Sequence, residues 1–142
     1  MSHPVHPAVV HFPVACWVLA TAADVLGLFW APPWLWPLAF ALAVLGCGFG
    51  LLAAAAGFLE LLKLPAEHPA GGTANAHMGL ALATWCLYAG SVFLRLHDRQ
   101  PMAPDVWALA LSGAGVLALL ATGWLGGKLV YGYGVGVTSR ER

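Results

Sequence analysis

Charged side chains are scarce in this sequence. Asp, Glu, Lys and Arg make up 8% of its 142 residues, whereas hydrophobic residues make up 61%. A soluble globular domain carries roughly 25% charged residues. So few charges cannot cover a surface in contact with water, which predicts that lipid surrounds most of the chain. The six basic residues balance the six acidic ones, and this argues against a nucleic-acid partner, which would require an excess of positive charge.

Cysteine is also rare, and the motifs of several enzyme classes are missing. Cys16, Cys47 and Cys86 lie within apolar runs, where they are interpreted as small buried residues rather than disulfides or metal ligands. The sequence has no Cys-x-x-Cys pair, phosphate-binding loop or nucleophile–base motif, so nothing in it supports a hydrolase or kinase. No basic segment precedes the first apolar run and no A-x-A cleavage site follows it, so we expect the first helix to remain in the membrane.

Four apolar runs reach the roughly 20 residues that a spanning helix requires. They predict helices over residues 11–30, 35–62, 74–96 and 105–126, followed by a glycine-rich tail over 127–142. Short connections between them predict a single all-α domain, an integral membrane up-down-up-down four-helix bundle. Both termini then lie on one side, here called side A. Four of the six Lys and Arg residues fall there, which predicts that side A is cytoplasmic.

Polar residues on the third helix are spaced for a single face. The steps between them are seven, four, three and four residues, for His77, Thr84, Tyr88, Ser91 and Arg95. Hydrocarbon offers no hydrogen-bond partner, so this stripe is predicted to face the bundle interior. Asp24 on the first helix lies at a depth from which it can meet Arg95, which predicts a buried ion pair that fixes the bundle.

Small residues form a matching stripe on the second helix, at Gly46, Gly50, Ala53 and Gly57, and this stripe ends at Glu60. Such spacing is typical of close helix packing in membranes, and it is also compatible with a face cut back to admit a flat cofactor. The fourth helix carries a similar set, consisting of Ala108, Ser112, Gly115 and Thr122.

Ionisable residues from three helices converge at one depth near side A. These are His11, Glu60 and His77. His6 and Lys63 are close to them in sequence, and Lys128 follows the fourth helix on the same side. Ionisable residues within a membrane are functional candidates by default. A single histidine here is explained equally well as an interfacial hydrogen-bonding residue, but the coincidence of several favours a site.

Several segments resemble a family of bacterial predicted membrane proteins, domain of unknown function 2231. They are HPAVVHFP at residues 6–13, the end of the second helix at 57–65, His77, and GWLGGKLVY at 123–131, with GVGV at 134–137. Tyr133 is a departure, because many relatives have histidine there. Similar domains occur joined to Rieske iron–sulfur or cytochrome domains. The resemblance therefore implies a multi-pass protein of the bacterial inner membrane with a redox role.

The leading functional hypothesis is a b-type haem between the first and third helices, in an electron-transfer protein that exchanges electrons with quinone or a redox partner protein. Its axial ligands would be His11 and His77, with His6 and Glu60 behind them. Gly50 and Gly57 would admit the porphyrin edge, and Lys63 and Lys128 would hold its propionates. Two alternatives remain. One is a zinc or copper site of His6, His11, His77 and Glu60. The other is a non-catalytic membrane subunit in which these ionisable residues serve packing alone. A homo-oligomer is compatible with each hypothesis.

Overall fold

The structure, a computed structural model, describes residues 5–30, 32–97, 100–101 and 103–137. It contains a short helix α1 (Val5–Val9) and the helices α2 (His11–Gly27), α3 (Leu35–Leu61), α4 (Gly71–Leu94) and α5 (Val106–Gly127). A π-helical turn, Lys128–Gly132, extends α5, and a two-stranded hairpin, β1 (Leu96–His97) with β2 (Gln100–Pro101), follows α4. All four long helices are apolar enough to span a membrane, so the predicted all-α membrane bundle is confirmed.

The four long helices form a closed ring in which each packs against its neighbours in the order α2, α3, α4, α5 and back to α2. Tandem prolines at 32–33 separate α2 from α3, because proline lacks the N–H that a continuing helix needs. Asp105 starts α5 as predicted, since its Oδ1 accepts a hydrogen bond from the Ala108 N–H at 2.8 Å. This capping bond satisfies one of the four donors that a helix start leaves without a partner.

Small and polar side chains fill the inside of the bundle, and large apolar side chains cover its outside. Ala39, Ala43 and Ala108 are almost completely buried, whereas Leu117 and Leu120 are exposed by more than 65% of their surface. In a water-soluble protein this distribution would be inverted. Here the outer face meets hydrocarbon, so leucine is stable there, and helix contacts depend on close packing rather than on removing leucine from its solvent.

A buried ion pair crosses the bundle from α2 to α4. Both Arg95 terminal nitrogens donate to the Asp24 carboxylate, one at 2.7 Å, and the two residues are 2% and 1% exposed. Arg95 also donates to the Ser91 and Ser112 hydroxyls at 3.1 and 3.0 Å, while the Ser91 hydroxyl donates to the Ala108 carbonyl oxygen at 2.8 Å. The predicted ion pair is therefore present, and it connects α2, α4 and α5.

The side A end of the bundle is closed by a small apolar cluster. Ala70, Ala74 and Leu129 are buried there, and Tyr133 and Val135 of the tail pack against them. Gly134 and Gly136 have φ values of 68° and 77°, a region in which glycine is free of the Cβ clash that other residues meet. These two glycines turn the tail back over the end of the bundle.

We expect Asp24→Asn to destabilise the bundle by about 3–5 kcal/mol, because removing one partner leaves a charged guanidinium uncompensated in a buried site. Asp24→Asn/Arg95→Met should cost less than Asp24→Asn alone. Reversible unfolding in mixed detergent micelles measures both, with Glu67→Gln in the exposed loop as a control. Strictly additive effects of the two substitutions would mean that the residues are not coupled.

The topology predicts that reporters fused to the two termini report the same side of the membrane. The excess of Lys and Arg on side A predicts the cytoplasm for both. A phosphatase fusion, active only outside the cytoplasm, should be inactive at either end and active when inserted after Arg99. Ends found on opposite sides would contradict the bundle, whereas both ends outside would contradict only its orientation.

Candidate functional site

Two histidine rings meet inside the side A end of the bundle. His6, on α1, and His77, on α4, have ring centres 6.1 Å apart and ring planes at 88° to each other. Both residues are half-buried. We call these two residues the histidine pair. The pair lies deeper than the apolar cluster that closes side A, since that cluster involves the loop before α4 and the tail after α5.

Each ring of the histidine pair is held by a backbone carbonyl of a neighbouring helix. His6 Nδ1 lies 2.8 Å from the Ala53 oxygen on α3, and His77 Nδ1 lies 3.0 Å from the Thr122 oxygen on α5. A carbonyl oxygen can only accept, so each Nδ1 carries the proton in these bonds. Each neutral ring therefore keeps its lone pair on Nε2, which is the tautomer that ligates a metal through that nitrogen.

Glycines make room for both rings. A Cβ at Gly57 would lie 3.0 Å from the His6 ring, and a Cβ at Gly126 would lie 3.3 Å from the His77 ring. Any larger residue at Gly57 would therefore push His6 away from α3. The stripe of small residues was interpreted as a helix-packing surface that is also compatible with a flat cofactor; at Gly57 it packs against an imidazole.

Gly50, the other glycine predicted to line a cofactor, faces tryptophan. A Cβ there would lie 2.8 Å from the Trp17 ring and 3.1 Å from the Trp85 ring. Trp17 also covers Gly46 and stacks on Tyr88, with ring centres 4.9 Å apart and planes at 7°. The structure thus places an aromatic pair from α2 and α4 where the sequence hypothesis placed a porphyrin edge.

His11 lies apart from the histidine pair. It is exposed at the start of α2, while its neighbour Phe12 stacks on Phe49. The reason is α1, which the sequence analysis did not predict: it folds against α3 and brings His6, rather than His11, against His77. The structure therefore does not place His11 opposite His77, as the ligand hypothesis required.

The remaining predicted site residues also lie toward the side A end of the bundle. Glu60 is half-buried, and its Oε1 accepts from the His6 backbone N–H at 3.2 Å. Lys63 and Lys128 are exposed, and the Lys128 ammonium lies 5.9 Å from the ring centres of Trp124 and Tyr133. Within the described ranges, no group of three or more His, Cys, Asp or Glu is close enough to hold a metal ion.

Two open grooves occur elsewhere on the surface. One of 450 Å³ lies between α2 and α3 on the far side and includes Leu19, Trp34 and Leu38. The other, of 360 Å³, lies beside the α3–α4 loop and includes Phe58, Pro65 and Asn75. Neither groove is lined by His6 or His77.

The family model for predicted membrane proteins of domain of unknown function 2231 matches residues 2–139. The chain therefore belongs to this family, as its motifs indicated. Comparison with curated proteins and with solved structures gave no significant match.

Close contact of glycine with aromatic rings predicts that Gly46→Ala destabilises the bundle by about 1–3 kcal/mol, the usual cost of overpacking. A Cβ at Gly46 would lie 2.5 Å from the Trp17 ring, whereas a Cβ at Gly48 would meet nothing within 4 Å. Gly48→Ala is therefore the matched control and should not destabilise the bundle, because alanine in a helix interior is favoured over glycine by about 0.5–1 kcal/mol. Equal effects of the two substitutions would contradict this packing.

Proposed function

We propose that this membrane protein is an electron carrier whose redox centre is a b-type haem ligated by His6 and His77. The observation that carries the proposal is the histidine pair: two half-buried imidazoles from different helices, each with Nδ1 bonded to a carbonyl. Electrons would be exchanged with quinone in the bilayer or with a redox partner protein.

The separation of the rings fits two ligands of one metal ion. Two metal–nitrogen bonds of about 2 Å each, with the distance from nitrogen to ring centre added on both sides, put the ring centres about 6 Å apart. The measured separation is 6.1 Å. Ligand histidines are usually oriented through the other ring nitrogen by a carbonyl or carboxylate, and the Ala53 and Thr122 carbonyls hold this position for the two rings.

The number of donors favours haem over zinc. A zinc site takes three or four protein ligands, and within the described residues no group of three His, Cys, Asp or Glu is close enough to hold a metal ion. Haem iron requires only axial ligands from the protein, because the porphyrin supplies the other four nitrogens. The alternative zinc site of His6, His11, His77 and Glu60 is disfavoured for this reason and by the exposure of His11.

The surroundings of the pair supply one further requirement of a haem protein. Lys63 and Lys128 are exposed on the same side of the bundle, where an ammonium group can pair with a carboxylate. When bound, haem would supply one-electron chemistry. The protein would contribute the two imidazoles, their fixed orientation and a low-dielectric environment that tunes the potential.

Copper(I) is a second candidate for the same two imidazoles. The observation that favours it is close packing: both rings lie against glycines, and neither surface groove opens onto them. A single ion needs far less space than a macrocycle, and imidazole is a common copper ligand. The two candidates share their ligands and differ in their spectra.

We expect protein purified from cells supplied with haem to show a Soret band with the spectrum of a low-spin bis-imidazole haem. His6→Ala and His77→Ala should abolish the band or convert it to a five-coordinate spectrum. His11→Ala should leave it unchanged, because His11 is exposed and lies apart from the pair.

Each other outcome assigns the site differently. A band lost in His11→Ala but retained in His6→Ala would restore the original ligand hypothesis. A colourless protein with stoichiometric copper that both His6→Ala and His77→Ala remove would replace haem by copper. A folded wild-type protein with neither haem nor metal would contradict both candidates and leave the histidine pair a structural contact.

A further inference from the structure

His6 lies in the first turn of the first candidate membrane span. It is on α1, the five-residue segment that a turn at Val10 separates from α2. We propose that Glu60 is a positioning residue that anchors α1 on α3 and so fixes His6 opposite His77. This inference rests on the proposed function in that it assigns His6 as a ligand.

Three contacts join His6 to one face of α3. Its ring Nδ1 bonds to the Ala53 oxygen at 2.8 Å, its ring packs over Gly57, and its backbone N–H donates to Glu60 Oε1 at 3.2 Å. The steps from Ala53 to Gly57 and from Gly57 to Glu60 are four and three residues, so these positions form one stripe along the helix. The stripe of small residues on α3 thus forms the surface on which α1 docks.

Glu60 supplies the charged contact in this set. α1 joins α2 through Val10, whose backbone is helical, so it is the end turn of the span. The end turns of helices open most easily, and contacts with a neighbouring helix hold them closed. The Glu60 carboxylate accepts from the first turn of α1, where the helix dipole favours a negative charge. Such a charge-assisted hydrogen bond is about twice as strong as a neutral one.

The Glu60 carboxylate makes no salt bridge among the described residues, where Asp24–Arg95 is the ion pair found. Its hydrogen-bond partner in that part of the chain is the His6 backbone N–H. If the half-buried Glu60 carboxylate bonded to a cation, that ion pair would explain its position without any role in holding α1. Glu60 bonds instead to the ligand-bearing residue itself, which ties its charge to the position of His6.

Two substitutions separate anchoring from mere helix stability. Glu60→Gln keeps an oxygen that accepts the His6 N–H, whereas Glu60→Leu keeps the bulk and removes the acceptor. Glu67→Leu, in the exposed loop on the same side of the membrane, is the control for loss of one negative charge. The first readout is hydrogen–deuterium exchange of the amides in residues 6–10, and the second is haem coordination.

In Glu60→Leu, exchange in residues 6–10 should accelerate by at least about tenfold, because the substitution removes a hydrogen bond to a charged group. The haem should change from six-coordinate low-spin to five-coordinate high-spin. Glu60→Gln, which keeps a neutral acceptor, should accelerate exchange less than Glu60→Leu and retain six-coordinate haem, and Glu67→Leu should behave like the wild type in both readouts.

Wild-type exchange in Glu60→Leu would overturn the anchoring role. Faster exchange with unchanged coordination would overturn the positioning role. If the wild-type protein holds no haem, the proposed function fails, but the exchange measurement still decides whether Glu60 anchors α1. The failures of the two proposals are therefore distinguishable.

Discussion

Helices in lipid gain nothing by hiding leucine from one another, since lipid tails are equally apolar. This constraint explains the interior of the bundle. Close approach has to come from shape, and here aromatic and imidazole rings fit against glycines on the facing helix. Trp17 fills the space at Gly46 and Gly50, and Tyr88 fills the space at Gly115. The same rule seats His6 at Gly57, so the candidate site follows the packing rule of the whole bundle.

Polar groups in this interior obey a second consequence of the same constraint. A polar group there needs a partner within the protein, because hydrocarbon provides none, and the buried Trp17 indole N–H is the exception among the described residues. Tyr88 is fully buried, and its hydroxyl bonds to the Thr21 hydroxyl at 2.8 Å. Arg95 divides its donors among Asp24, Ser91 and Ser112. The far half of the bundle is thereby fixed in register.

The sequence was sufficient to predict the features that depend on spacing and composition. The inward stripe on α4, the Asp24–Arg95 pair and the Asp105 start of α5 all follow from helical period or from local capping chemistry. The partner of His77 could not be obtained in this way. His6 and His11 are five residues apart, which is about 140° of rotation on a helix. Only one of the two can therefore face His77, and periodicity alone does not say which.

One signal for the correct partner was present in the sequence. Gly57 and Glu60 lie four and seven residues on from Ala53, and the stripe of small residues continues beyond the depth that the rings of Trp17 and Trp85 can fill. A notch in a close-packed interior requires an occupant, because an empty one forfeits the dispersion contacts of its lining. The stretch before α2 lies at the side A end of α3, within reach of this notch. Treating each glycine as a place for a ring, rather than as space for a cofactor, would have led from Gly57 to His6.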